Sequence, residues 1–600
     1  MGASIVNDVN ISIATENGSG SASSNTVLFK SLYKMGLTFS SKNLFPSNIQ
    51  GLPTWYLIRV SKDGYLCRKG EIDVMVAFNR TTLAADVDQV RPGGVVLYDD
   101  SSPLPPGLER DSLSFVGVPA TRLVHDNIKV PQLRVKQRNM VYVGAVAQMF
   151  GISLDIVAEV LKDTFGDKPK VIEPNMICIE LGFKHMAESG FEQDVARLEA
   201  IPGGNAGKIM TEGNNACALG AIFGGATVVT WYPITPSSSV VEYMIAQIGK
   251  YRTDDQGKAR YAIVQTEDEL ASITMAIGAG WNGARAMTST AGPGLSLMQE
   301  GIGLAYFAEV PCVIIDVGRA GPSTGLPTRT QQSDITAMHQ GSHGDTKHIV
   351  LIPHDNPSAF RFSCEAFDYA DRYQTPVFVM MDLDLGMNLS ITEPFEMPTA
   401  PMDRGKVLYK EDLDALAEPF QRYLDKDGDG IPYRTLPGED HPDAAYFTRG
   451  SGHSTNANYT EDHTVYRDLL DRLRRKYETA RNDMPPPIVE NGAATDIGMI
   501  SFGSSYEPTR EARDCLTARG LPMNHLLLRA LPLSPDVGKF VAQHEIVYVV
   551  EQNRDGQMTQ ILRDDFPRYA DRLRPVLIYH GLPPAPWEII KIIDEMRAAS

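Results

Sequence analysis

Four short segments carry residue types that could do chemistry together. Tyr232-Pro233-Ile234-Thr235-Pro236-Ser237-Ser238 supplies hydroxyls, and Thr266-Glu267-Asp268-Glu269 supplies carboxyls. Ser289-Thr290-Ala291-Gly292-Pro293-Gly294 is a glycine turn beside more hydroxyls. Gly318-Arg319, followed by Gly321-Pro322-Ser323-Thr324-Gly325-Leu326-Pro327-Thr328, adds a guanidinium. Each follows a short apolar run (226–231, 261–265, 286–288 and 312–317) that reads as a strand. Ligands of parallel α/β sheets bind beyond the carboxyl ends of strands, so the four segments are expected to converge on one edge of one sheet. An arginine that ends an apolar strand points to an anion there.

Each segment also has a plain structural reading. Thr266 and Glu269 spell a T-x-x-E capping box ahead of the apolar helical positions Leu270, Ile273 and Ile277. Gly292-Pro293-Gly294 can simply start a helix, and Arg319 can be a surface residue. The convergence of all four carries the argument.

The elements that must position these residues follow from the rest of the chain. At 600 residues the sequence is too long for one core, and several domains are expected. The first region opens with a strand at 9–14, a Gly18–Ser24 loop and a helical pattern through Val27, Leu28, Leu32 and Met35. That arrangement presents free N–H groups to an anion, or is an ordinary tight turn. Strands at 74–78 and 94–98 complete a small α/β domain. Pro202-Gly203-Gly204-Asn205 reads as a linker. From 215 to 398 strands and helices alternate as in a parallel sheet with crossover helices. A charged, turn-rich stretch follows over 404–487, and strands at 497–502, 523–528 and 546–551 return the chain to α/β. The expected fold is multidomain α/β, divided at 1–200, 205–400, 401–490 and 491–600.

Composition removes several functions. Charged residues are 22% and hydrophobic residues 43%, the balance of a globular protein. The net charge of −18 disfavours nucleic acid as a partner. No run reaches the ~18 apolar residues of a membrane helix. Nothing in the first ten residues reads as a secretory signal, so a cytoplasmic location is expected. The six cysteines include no C-x-x-C pair, the closest two being Cys178 and Cys217, which excludes zinc-ribbon and cluster-binding patterns. No metal ligands are assigned. Gly428-Asp429-Gly430, followed by Asn456 and Asn458, imitates a diphosphate–magnesium signature, but a charged, helical stretch at 420–424 precedes it where a strand is required. Asp425–Gly430 copies half of an EF-hand loop; its twelfth position is Leu436, not glutamate, so a solvated acidic turn is expected and a divalent ion is the alternative.

The run from Asn214 to Ser238, QTEDELASI at Gln265, STAGPGLSLMQE at Ser289 and GRAGPSTGLPTRTQQSD at Gly318 resemble the alpha subunit of 2-oxoacid:ferredoxin oxidoreductases. The first region resembles that family's gamma domain fused ahead of alpha. The last resembles its transketolase C-terminal-like domain, and the 2-oxoglutarate type is the nearest. The resemblance implies a thiamine diphosphate pyrimidine-binding domain at 205–400. It implies oxidative decarboxylation of a 2-oxo acid with CoA to an acyl-CoA, electrons passing to ferredoxin.

That chemistry needs a protonated carboxyl against the pyrimidine ring, which burial provides by raising its pKa. The spacing back from Gly283-Ala284, compared with the family, favours Glu269, with Glu267 as the alternative. The resemblance places Tyr232, Pro233, Ile234, Thr290 and Gly292 with Glu269 around the cofactor. It places Arg319, Thr235 and Thr328 on the substrate carboxylate and ketone. His343 is a candidate for a second carboxylate, or a surface-loop histidine. With no diphosphate motif and no cluster cysteines, a beta subunit is expected to bring magnesium, diphosphate contacts and a [4Fe-4S] cluster, in a dimer of alpha–beta pairs. Two other readings stay open: a transketolase-like or decarboxylase-like thiamine enzyme without a redox partner, and a non-catalytic nucleotide- or CoA-binding module.

Overall fold

The computed structural model describes residues 5–47, 51–166, 168–447, 449–492 and 494–599, so residues 1–4 of the N-terminal stretch read above lie outside the described residues. The chain divides into two compact units. One holds 1–210 with 388–394 and 585–587, and the other holds the remainder.

The first unit is built on an eight-stranded sheet in the order Ser114–Gly117, Val90–Tyr98, Ile72–Ala77, Val9–Glu16, Pro53–Val60, Phe39–Leu44, Ser390–Thr392, Ile209–Thr211. Val9–Glu16 is buried at all but its last position, as a central strand must be. It runs parallel to Ile72–Ala77 and antiparallel to Pro53–Val60. The antiparallel strands Phe39–Leu44 and Pro53–Val60 have no counterpart in the sequence reading, because alternation in them is broken by polar residues such as Lys42 and Arg59. The Gly/Ser loop leads into the helix Ser21–Lys34 as expected. The backbone oxygen and Oγ of Ser19 each accept from Asn139 Nδ2 at 3.0 Å, which ties the loop to the helix Pro131–Phe150. Pro202–Asn205 is not a free linker. Asn205 Nδ2 donates to the carbonyls of Tyr33 and Leu37 at 3.0 Å, which ties the segment to the end of the first helix and the turn after it.

The second unit carries two sheets. The larger has the order Ala530–Leu531, Ile349–Leu351, Pro376–Asp382, Cys312–Gly318, Ala286–Thr290, Val228–Trp231, Ala262–Gln265. It is parallel apart from Ala530–Leu531, which pairs antiparallel with Ile349–Leu351. Cys312–Gly318 and Pro376–Asp382 are buried at every position, the pattern of strands covered on both faces. The smaller sheet runs Ile488–Glu490, Asn524–Leu528, Ile497–Phe502, Ile546–Glu551, Leu573–Leu577. One apolar core joins the two, with Ile314, Val350 and Phe378 of the larger packed with Ile500, Leu526 and Val547 of the smaller.

Two buried ion clusters anchor the charged region before the smaller sheet, one on Asp371, which pairs with Arg434, and one on Glu309. Glu309 ends the helix Gly292–Ala308 in a left-handed conformation (φ 55°) and has no exposed side-chain surface. Arg472 takes its carboxylate through two nitrogens, at 2.5 and 3.1 Å, and Lys476 through Nζ at 2.8 Å. Both come from the helix His463–Ala480. Burial pushes the Glu309 carboxyl up, but the two cations outweigh it and hold it well below the usual range. Residues 420–424 are not helical: Pro419 precedes them, and the Tyr423 amide donates to Thr455 O instead of to a helix carbonyl. The Asp425–Gly430 loop is filled from within the chain. Lys406 Nζ lies 2.6 Å from Asp427 Oδ2 and 2.8 Å from Asp429 Oδ2, while Asp425 accepts from Arg475 and from two loop amides.

Candidate functional site

The four chemistry-bearing segments do leave the carboxyl ends of adjacent parallel strands. Glu269 opens the helix Glu269–Trp281 as its first residue. The capping box does not form. Asp268 is the cap, its Oδ1 accepting from the Ala271 amide at 2.7 Å, because it stands one place before the helix and aspartate caps better than threonine. Thr266 Oγ1 is spent on Trp231 O, Asp268 O and Ser272 Oγ. Relieved of capping, Glu269 turns inward and is 5% exposed, whereas Glu267 is exposed. Burial raises the pKa of Glu269, with Asp268 adding to the rise and Arg319 opposing it.

Gly294 explains how Glu269 fits. A Cβ at Gly294 would stand 2.2 Å from Thr290 Oγ1 and 2.7 Å from both Cγ and Oε1 of Glu269. Only a glycine lets the helix Gly292–Ala308 start against the carboxyl. Thr290 itself is fully buried at the end of its strand.

Arg319 leaves the strand Cys312–Gly318 and is 7% exposed. Its Nη1 donates to Thr235 O at 2.7 Å, and its Nε is buried without a hydrogen-bond partner among the described residues. Burial lowers its pKa while Asp334 and Glu269 raise it, so all three groups share one electrostatic environment. Arg319 and Gly292 line a cleft of about 870 Å³, closed on its other side by Asn553 and Gln557 and bordered by Tyr579 and His580. Tyr232, Pro233 and Thr235 are exposed at the neighbouring strand end and Ile234 is half-buried, so their surfaces are available to a ligand.

Thr328 is buried, and its Oγ1 accepts from Arg329 Nη1 at 3.3 Å. His343 is not brought to the cleft wall. It is exposed, lies 3.6 Å from Glu300 and matches the surface-loop reading. Two groups of this neighbourhood carry no assignment from the sequence: Asp316, the single charge within the apolar strand Cys312–Gly318, and Asp334, which lines the cleft. A lone aspartate in a run of valine and isoleucine was the available signal for the first.

Comparison with known proteins adds the family. Residues 219–414 match the model described as pyruvate flavodoxin/ferredoxin oxidoreductase, thiamine diphosphate-binding, and residues 10–185 match pyruvate ferredoxin/flavodoxin oxidoreductase. The alpha subunit of 2-oxoacid:ferredoxin oxidoreductase 2 from Aeropyrum pernix is 29% identical, the alignment covering 93% of each chain. The KorA subunit of 2-oxoglutarate synthase from Methanocaldococcus jannaschii is 34% identical over 57% of this chain and 87% of that protein. The solved structure of 2-oxoglutarate:ferredoxin oxidoreductase from Magnetococcus marinus superimposes with a TM-score of 0.88 at 29% identity, covering 98% of this chain and 99% of that one. The chain belongs to the 2-oxoacid:ferredoxin oxidoreductases, as an alpha subunit.

Proposed function

We propose that this subunit forms the pyrimidine-facing and substrate-binding half of a thiamine-dependent enzyme that converts 2-oxoglutarate and CoA, reversibly, to succinyl-CoA and CO2, with ferredoxin as electron carrier. The single observation that carries the reading is the buried carboxyl of Glu269 beside Arg319, in the region that matches the thiamine diphosphate-binding family model. The residues fit the aminopyrimidine part of that cofactor, because Glu269 offers a carboxyl inclined to keep its proton and Gly294 leaves room for nothing but that side chain. When bound, thiamine diphosphate supplies the carbon nucleophile that attacks the ketone.

The chain's own residues do the rest of the assigned work. Glu269 holds a proton on the pyrimidine nitrogen. Tyr232, Pro233, Ile234, Thr290 and Gly292 border the ring. Arg319 takes the substrate carboxylate through parallel N–H bonds, worth about 1.5–3 kcal/mol for each charged bond. Thr235 and Thr328 donate to the remaining substrate oxygens. Among the described residues no group of three or more histidine, cysteine or acidic side chains is placed to hold a metal. In this reading a beta subunit supplies the magnesium and diphosphate contacts and a [4Fe-4S] cluster, and alpha–beta pairs dimerise. The domain divisions at 1–200, 205–400, 401–490 and 491–600 belong to this reading. No described helix is long and apolar enough to cross a membrane, and we assign the complex to the cytoplasm.

The pair Glu269→Gln and Glu267→Gln tests the assignment. The first is expected to lower kcat by about 10²–10⁴-fold without changing the melting temperature, and the second to leave kcat intact. Normal turnover in Glu269→Gln with a dead Glu267→Gln would move the role two residues back.

A further inference from the structure

One hydrogen bond to a described residue holds the Arg319 guanidinium. Nη1 donates to Thr235 O at 2.7 Å, and Nε is buried without a partner among the described residues. A planar group held at one nitrogen takes its direction from that contact. The Nε–Nη2 edge, with its two parallel N–H groups, is the one left for a carboxylate. The Thr235 carbonyl is therefore the reference point of the anchor, and the question is what fixes it. Thr235 is exposed, and Pro236 after it has no N–H. The next carbonyl, Pro236 O, is held from inside the fold. Asn214 Nδ2 donates to it at 2.9 Å and to Ser239 Oγ at 2.7 Å. One amide thus ties the 235–236 turn to the first turn of the helix Ser238–Gln247.

Asn214 is well placed to do this. It is the second residue of the helix Gly213–Phe223 and is fully buried. A Cβ at Gly213 would stand 2.4 Å from Leu385 O, and one at Gly220 2.0 Å from Phe360 O, so the helix lies directly on two other backbone segments and cannot drift. The direction of the amide is also fixed. Pro236 O only accepts, so only the nitrogen can face it. The oxygen is turned toward Gly386, where a Cβ would stand 2.5 Å away, and it has no hydrogen-bond partner among the described residues. A buried amide oxygen left unpaired costs stability. Leucine would fill much the same volume without that cost, so packing does not account for an asparagine here, whereas its two N–H groups do. The neighbouring hydroxyls do not share the task, because Ser237 Oγ and Ser238 Oγ both turn to Ile234 O, at 3.3 and 3.2 Å.

We propose that Asn214 is a positioning residue for substrate binding: by holding the Pro236 carbonyl it fixes the Thr235 carbonyl, and through it the direction in which Arg319 presents its free edge. The proposal rests on the reading of Arg319 as the carboxylate anchor. Asn214 is sealed in the interior and touches no ligand; it acts through the backbone. The link is short and stiff. The ring of Pro236 locks φ between the two peptide planes, so one torsion alone separates the carbonyl that Asn214 holds from the one that Arg319 uses. Without the amide the Pro236 carbonyl turns to another donor, the Thr235 carbonyl moves with it, and the guanidinium meets the carboxylate at a poorer angle. Glu269 stands on a different helix and keeps its place. The loss therefore falls on capture of the 2-oxo acid, and neither on the proton-holding carboxyl nor on CoA.

A double-mutant cycle on the assembled enzyme tests this. The variants are Asn214→Ala, Asn214→Leu, Arg319→Ala and the two combinations, each checked by a thermal melt. Alanine is well tolerated in a helix, and leucine keeps the volume, so one folded variant of the two suffices for the cycle. The readout is kcat/KM for 2-oxoglutarate, taken as the initial slope of rate against concentration with CoA saturating, together with KM for each substrate. Each Asn214 variant is expected to lower the slope about tenfold, mainly through KM for the 2-oxo acid, with KM for CoA unchanged. A loss common to both belongs to the N–H groups, since alanine leaves a space and leucine fills it. In the Arg319→Ala background the same substitutions are expected to change the slope by less than about twofold, because the group they act through is gone. A tenfold loss that persists in that background would make Asn214 a merely structural residue and overturn the proposal. Wild-type kinetics in a folded Asn214 variant would do the same. Arg319→Ala alone judges the reading beneath: a wild-type slope would remove the anchor, whereas a large loss there, with equal Asn214 effects in both backgrounds, would remove only the positioning role.

Discussion

Gly294→Ala separates the position of Glu269 from its charge. Ordinary contact begins at 3.4 Å, and the new Cβ would stand 2.7 Å from Glu269 Oε1 and 2.2 Å from Thr290 Oγ1. The glutamate must therefore retreat by 3.4 − 2.7 = 0.7 Å and the threonine by 3.4 − 2.2 = 1.2 Å. Gly294 lies in the first turn of a helix whose backbone is fixed by its own hydrogen bonds, so both side chains must give way, and the Glu269 carboxyl leaves its place along with the Thr290 hydroxyl. Misplacing a reacting group by about 1 Å costs about 10²-fold in rate. The overpacking costs a further ~1–3 kcal/mol of stability, while alanine in place of glycine carries no backbone penalty in a helix. The assay is steady-state acceptor reduction by the assembled enzyme with 2-oxoglutarate and CoA, alongside a thermal melt. We expect kcat to fall about 10²-fold with KM for the 2-oxo acid changed far less, since Arg319 is untouched. A folded variant with wild-type kcat would refute the placement of Glu269 at the reacting centre.

Two further outcomes concern the frame of the site. Glu309→Gln leaves Arg472 and Lys476 as buried cations without a carboxylate, and is expected to destabilise the chain by about 3–5 kcal/mol in denaturant unfolding. The Glu309 carboxyl is held below its unfolded value, so its contribution is complete above the unfolded pKa and is lost as pH falls toward the folded one. The gap between wild type and Glu309→Gln should therefore narrow on acidification below about pH 4.5, read from melting temperatures. Calcium should add no thermal stability, because Lys406 Nζ already sits among the carboxylates of Asp427 and Asp429; a rise of several degrees with millimolar calcium would contradict that.

The parallel strands of the site were legible because each is a short apolar run closed by residues of a different type, and Ile497–Phe502 and Ile546–Glu551 span the residues expected of them. The choice between Glu269 and Glu267 rested on spacing in the sequence; helix geometry separates them, burying one and exposing the other. The capping box was a local rule defeated by a better cap two residues closer, Asp268. Half of an EF-hand was legible as half, but the occupant of its carboxylates, Lys406, is remote from them in sequence and leaves no local trace. Asp334, the last residue of the motif that begins at Gly318, has no role of its own in the sequence, since its contacts with Gly318 and Gly292 are made only by folding.

The most direct test of the central claim is anaerobic purification of the tagged chain from its own host, with analysis of co-purifying protein, thiamine, iron and sulfide, followed by assay with 2-oxoglutarate, CoA and ferredoxin. The account predicts a second, smaller subunit that brings iron, thiamine bound to the complex, and CoA-dependent ferredoxin reduction that neither subunit performs alone. Turnover by this chain without a partner, or a stable complex that turns over with no thiamine in it, would contradict it.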